Sequence, residues 1–158
     1  MIKRAVWVHG NAVVAERPKD LTEEIRIGWG SKFQLRAGTR NWFHVSIPTP
    51  VLIDDVRPKL ARVFVLFKTS KPESGGVFIG STLEKLHVYD GHNRVAAITG
   101  MRTGNHANAI DSANTWEFDA PLSIFSGLGL SMEISAAQVG TDTTPQPVEF
   151  ATIGADFV

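Results

Sequence analysis

Apolar and polar residues alternate with a period of two along much of this chain. Phe43, Val45 and Ile47 alternate with Trp42, His44 and Ser46. Leu128, Leu130, Met132 and Ile134 alternate with Gly129, Ser131, Glu133 and Ser135. Successive side chains of an extended strand point to opposite faces, so each run predicts a strand with one buried and one outward face. Runs of the same type cover Ala5 to His9, Lys32 to Arg36, Leu83 to Tyr89, Arg94 to Thr99, Asn114 to Phe118 and Val148 to Ile153. Leu60 to Phe67 differs, because Val63-Phe64-Val65-Leu66-Phe67 is apolar on both sides. That predicts a strand either central in its sheet or covered by a neighbouring subunit.

The turn residues fit this reading. Asp90-Gly91, between two strand runs, predicts a tight hairpin, because glycine tolerates the positive φ such turns need. Gly28-Trp29-Gly30, Gly75-Gly76 and Gly104-Asn105 mark further turns, and Thr141 to Pro147 reads as a mobile loop before the last strand. The stretch from Pro48 to Pro58 is too rich in proline for a central strand and predicts an ordered loop crossing between sheets. Asp20-Leu-Thr-Glu23 resembles a capping box and predicts at most one turn of helix. Many short strands separated by turns predict an all-β fold, an antiparallel β-sandwich of jelly-roll type, with a closed antiparallel β-barrel as the alternative. A length of 158 residues suits one domain spanning 1–158.

Charge narrows the partners. Sixteen basic and sixteen acidic residues cancel, and the basic ones are scattered, so nothing attracts nucleic acid or anionic lipid. The chain has no cysteine, which removes disulfide and thiolate chemistry and fits a reducing cytoplasm. The apolar stretch after the N-terminal lysine and arginine is too short for a signal-peptide core, and nothing approaches the ~18 apolar residues of a membrane span. The expectation is a soluble cytoplasmic protein.

One pattern carries candidate chemistry. An aromatic ring and a histidine stand two residues apart three times: Trp7 and His9, Trp42 and His44, His87 and Tyr89. Residues two apart share a face of a strand, and in each case the intervening residue belongs to the apolar set. Parity therefore places all six on the non-core side. If the three strands are neighbours, they form one aromatic and histidine surface; two separate sheets would divide it. Such a face can bind a small molecule, a glycan or a protein partner, since pockets combine aromatic walls with a few converging polar groups. It can equally pack against another copy of the chain, as Trp and Tyr are enriched at interfaces.

Other chemistries lack a signature. No His-x-His or His-Glu-x-x-His spacing is present, so no metal site is assigned. Loop oxygens of Asp54-Asp55, Asp90 or the Asn105, Asn108, Asp111 region could meet calcium, but such residues more often make turn hydrogen bonds. There is no nucleophile elbow, phosphate loop or dinucleotide fingerprint, and Gly127-Leu-Gly129 opens a strand rather than a helix. No cofactor is implied. His9, His44 or His87 could still act as a general acid or base.

The segments Trp7-Val-His-Gly-Asn11, Gly28-Trp-Gly30, Asn41-Trp-Phe-His44 with Ile47-Pro-Thr-Pro50, His87-Val-Tyr-Asp-Gly91 and Ile153-Gly-Ala-Asp-Phe157 resemble a family of small bacterial all-β proteins of unknown function. The resemblance spans nearly the whole chain and implies no catalytic residue. The favoured expectation is a non-enzymatic, homo-oligomeric binding or interaction module acting through Trp7, His9, Trp42, His44, His87 and Tyr89. The alternatives are a small β-barrel enzyme, such as an isomerase, cyclase or hydrolase, with a histidine proton carrier, and a structural assembly subunit.

Overall fold

The computed structural model describes residues 2–53, 55–69 and 80–158. Among these the strands are β1 (Arg4–His9), β2 (Val14–Ala15), β3 (Leu21–Ile27), β4 (Gly30–Leu35), β5 (Arg40–Ile47), β6 (Lys59–Thr69), β7 (Ser81–Asp90), β8 (Asn93–Arg102), β9 (Thr115–Ser123), β10 (Leu128–Ala136) and β11 (Gln146–Phe157). The turn expected at Gly75-Gly76 lies outside the described residues.

The strands form two antiparallel sheets. One runs β3-β4-β11-β6-β9, with β1 added along β11 beyond the end of β4; the other runs β2-β5-β10-β7-β8. From β4 to β11 the chain passes between the sheets at every connection except the β7–β8 hairpin, which is the interleaving of a jelly roll. The sheets do not close on each other, so the sandwich is adopted and the closed barrel is not.

Alternation builds the core. Phe33 and Phe150 from one sheet meet Phe43 from the other, with ring centroids 4.8 Å apart for Phe33–Phe43 and 5.5 Å for Phe43–Phe150. Val63, Val65, Phe67 and Ile153 join them against Val45, Leu86, Val88, Leu130 and Met132. Strand β6 is central, flanked by β11 and β9, and buried on both faces: the sandwich core covers one, and the Trp7 ring covers Phe64 on the other. The Pro48–Pro58 stretch carries the chain from β5 in one sheet to β6 in the other, as a crossing loop should.

One local expectation fails. The segment at Asp20 to Glu23 is not helical: a 3₁₀ turn at Pro18–Asp20 ends at Leu21, and β3 begins there. Pairing with β4 outweighs the capping-box pattern, and β3 is an edge strand with mostly exposed side chains. Two glycines are set by close approach instead. Gly10 and Gly30 both press on the Phe150 carbonyl, where β11 changes partner from β4 to β1, and any Cβ there would collide with it.

Candidate functional site

The candidate site is the outward face of the five-stranded sheet. Strands β5 and β7 lie on either side of β10, so side chains with no sequence proximity come into rows. Ser131 is paired with both His44 and His87, Glu133 with both Trp42 and Lys85, and Gly129 with both Ser46 and Tyr89. Trp42 and His87 meet on the diagonal across β10, their rings 4.6 Å apart and inclined at 37°. Tyr89 stands edge-on to His87 at 6.3 Å. Four of the six expected residues therefore form one surface.

Beside this surface is an open groove of about 530 Å³, lined in part by His44, Ser46, Tyr89, His92, Gly129 and Ser131. Its floor is lowest at Gly129, where the outward position of a central strand carries no side chain. An added Cβ there would meet only Tyr89 Cβ, at 3.7 Å, an ordinary contact. One wall is the segment with Ala12 and Val14; the other is the β7–β8 turn at Gly91 and His92.

Both walls are fixed by buried polar groups. Asn41 accepts the Arg17 N–H through its Oδ1 at 3.1 Å and donates to the Arg17 carbonyl at 2.8 Å, and the Glu16 N–H donates to the Trp42 carbonyl at 2.8 Å. That holds Glu16 over His44. On the other side the buried Asp90 carboxylate accepts backbone N–H groups from Phe125, Ser126 and Gly127 at 2.9, 2.6 and 3.1 Å. Burial by itself would raise the Asp90 carboxyl, but these three donors, with the charge of Arg57, outweigh it and hold the group below the usual carboxylate range.

The imidazoles are in different states of engagement. His44 Nε2 lies 2.9 Å from Glu16 Oε2, and His44 Nδ1 lies 2.8 Å from Ser131 Oγ. His87 has its pKa lowered by partial burial first, then by Arg94 and Lys85, with Glu133 opposing, which favours the neutral ring. Lys85 and Glu133 pair at 2.8 Å.

Trp7 and His9 do not join this site. Parity holds, since they point outward, but β1 belongs to the other sheet. The Trp7 ring stacks on Phe64 with centroids 5.1 Å apart and 23° between planes, and it lies over Gly154. His9 Nδ1 accepts the Asn11 N–H at 3.3 Å and caps the 3₁₀ turn at Gly10–Ala12. Both side chains thus have structural contacts on the opposite side of the sandwich.

Among the described residues no three His, Asp or Glu side chains are grouped to hold a metal ion. Of the loop acids, Asp90 is engaged as above, and Asp111 accepts the Ala113 and Asn114 N–H groups and contacts His106 at 3.0 Å. Asp54 lies outside the described residues. Sequence reasoning missed Glu16, Ser131 and Gly129. Ser131 and Gly129 did carry a signal: small residues on the outward side of an otherwise strongly apolar strand. Glu16 carried none.

The chain matches, over residues 1–157, a family described as a family of unknown function, DUF6623. No curated protein matches it.

Proposed function

The chain belongs to DUF6623, a family of unknown function, and from its geometry we propose that it binds a small polyhydroxylated ligand, a short glycan first, in the groove over Gly129. The observation that carries this reading is the glycine itself. No left-handed φ and no close backbone contact requires it, yet it opens the floor of a groove ringed by Tyr89, His44, His92 and Ser131. A glycine inside a strand often marks a place where another molecule approaches closely. The volume of about 530 Å³ lies inside the roughly 300–1,000 Å³ of small-molecule sites. Tyr89 supplies a ring face for sugar C–H groups, the imidazoles and serines supply hydrogen bonds, and the Trp42–His87 pair extends the platform.

The test is binding of mono- and oligosaccharides, followed by tryptophan fluorescence and ligand-observed NMR, in the wild type and in Gly129→Val. Valine fills the groove floor while keeping an extended backbone. Binding in the wild type, weakened at least ~100-fold in the variant, a loss of about 2.7 kcal/mol, supports the reading. Equal binding in both proteins, or none in the wild type, overturns it. Trp42→Ala separates the remaining possibility: a change from oligomer to monomer would make this face a subunit contact.

A further inference from the structure

The groove contains an arrangement that binding alone does not require. Ser131 on β10, His44 on β5 and Glu16 after β2 form one hydrogen-bonded line, with 2.8 Å from Ser131 Oγ to His44 Nδ1 and 2.9 Å from His44 Nε2 to Glu16 Oε2. A carboxylate only accepts, so in the neutral ring Nε2 carries the proton and Nδ1 keeps its lone pair. That lone pair accepts from the Ser131 hydroxyl. The line is therefore polarised in one direction, from the serine O–H toward the carboxylate. These are the roles of a hydrolytic triad with the two ring nitrogens exchanged, and triads are recognised by geometry and role rather than by sequence order. Ser131 is also the end of the line that lines the groove floor.

We propose that Ser131 is a nucleophile toward esters carried by the ligand of this groove, with His44 as its general base and Glu16 as a positioning residue; the proposal rests on the groove being a ligand site. Ser131 Oγ bonds to the ester carbonyl carbon as its proton passes to His44 Nδ1. Collapse of the tetrahedral intermediate breaks the bond to the alcohol oxygen, which takes that proton. Water, deprotonated by His44, then attacks the acyl-serine and releases the carboxylic acid, and the proton returns to Ser131 Oγ. Strand β10 is paired on both sides, so its amides serve the sheet. The groups left to donate to the developing oxyanion are side chains that line the groove, of which Tyr89 and His92 carry donors. Since loss of one preorganised oxyanion donor costs about 10²–10³ in rate, turnover without backbone donors is slow and covalent capture is the more sensitive measurement.

The experiment exposes the full chain to an alkyl fluorophosphonate: Oγ attacks phosphorus, fluoride leaves, and the proton passes to His44. Intact mass and peptide mapping locate the adduct. One adduct on Ser131 is expected, absent in Ser131→Ala and formed at least ~100-fold more slowly in His44→Asn. Glu16→Gln should lower the maximal labelling rate without changing the half-saturating probe concentration, a split that a general loss of structure would not produce. No wild-type adduct at Ser131, or one whose rate ignores His44→Asn in a folded variant, overturns the proposal. Sugar binding without labelling would overturn it and leave the ligand reading standing. Labelling at Ser131 without sugar binding would support the nucleophile and overturn the choice of ligand.

Discussion

The outward faces of the two sheets begin from the same short sequence pattern and end in opposite uses. On each, a glycine sits directly across from an aromatic residue of the neighbouring strand: Gly154 opposite Trp7, and Gly129 opposite Tyr89. On the six-stranded sheet the indole lies down over its glycine, so that a Cβ built on Gly154 would come within 2.5 Å of the Trp7 ring. The ring thereby covers Phe64, which is only 1% exposed although it points away from the core. On the five-stranded sheet Tyr89 offers Gly129 only its Cβ, and the space stays open. A cross-strand aromatic over glycine is a known stabilising device of sheets. Its presence on one face and absence on the other separates a face that completes the fold from one left available.

Gly154→Ala should produce the largest effect. The methyl group must displace Trp7, break its stack on Phe64 and open the apolar surface on the outward face of β6. The expected cost is about 2–3 kcal/mol, the upper part of the overpacking range, seen as a fall in Tm of roughly 5–9 °C for a domain of this size. A variant as stable as the wild type would show that the indole is not a fixed cover, and the contrast between the faces would collapse.

The same contrast explains what could and could not be read from the residues alone. Strands β4, β5, β7, β10 and β11 alternate and the middle of β6 is apolar on both sides because each is well buried, and burial is what writes a period of two into a sequence. The edge strand β8, with no fully buried residue, is marked instead by the Asp90-Gly91 turn before it. Strand β3 was hidden, since the edge strand Leu21–Ile27 buries only Leu21 and has no alternating buried set to betray it. Parity put Trp7, Trp42 and Tyr89 on outward faces. It could not tell which sheet each strand enters, because that depends on β10 sliding between β5 and β7 while β11 takes β1. The neighbours of His44 are equally non-local: Ser131 is 87 positions away and Glu16 is 28.

Asp90→Asn should come next. Asp90 does for the open face what Trp7 does for the closed one: it holds a boundary in place, here the β7–β8 turn against the Phe125–Gly127 backbone. Asparagine keeps one acceptor oxygen but loses the charge, so a loss of about 1.5–3 kcal/mol is expected, the worth of hydrogen bonds to a charged group. Because the folded carboxyl titrates below its ordinary value of 3.8, the unfolded chain binds the proton more readily. The stabilisation is therefore complete above about pH 4 and is lost as pH falls through the lower folded value. Denaturation midpoints measured from pH 7 down to pH 2 should converge for wild type and variant at the acid end. A constant difference at all pH values would remove the carboxylate from the account.

Gly129→Ala should have the smallest effect on stability, and its smallness is the point. The backbone there is ordinary extended strand, and the added methyl meets Tyr89 Cβ at 3.7 Å, neither strained nor crowded. Replacing glycine by alanine at a compatible site also reduces the entropy of the unfolded chain, worth about 0.4–1 kcal/mol in favour of folding. The variant should therefore match or slightly exceed the wild type in urea midpoint, although the identical substitution on the other sheet is expected to be strongly destabilising. If the fold gains from alanine at Gly129, the glycine has no architectural reason to be there, and the open groove floor is the reason left. A loss of more than about 1 kcal/mol, beyond what a neutral surface position shows, would make Gly129 a packing residue like Gly154 and leave the groove without its main support.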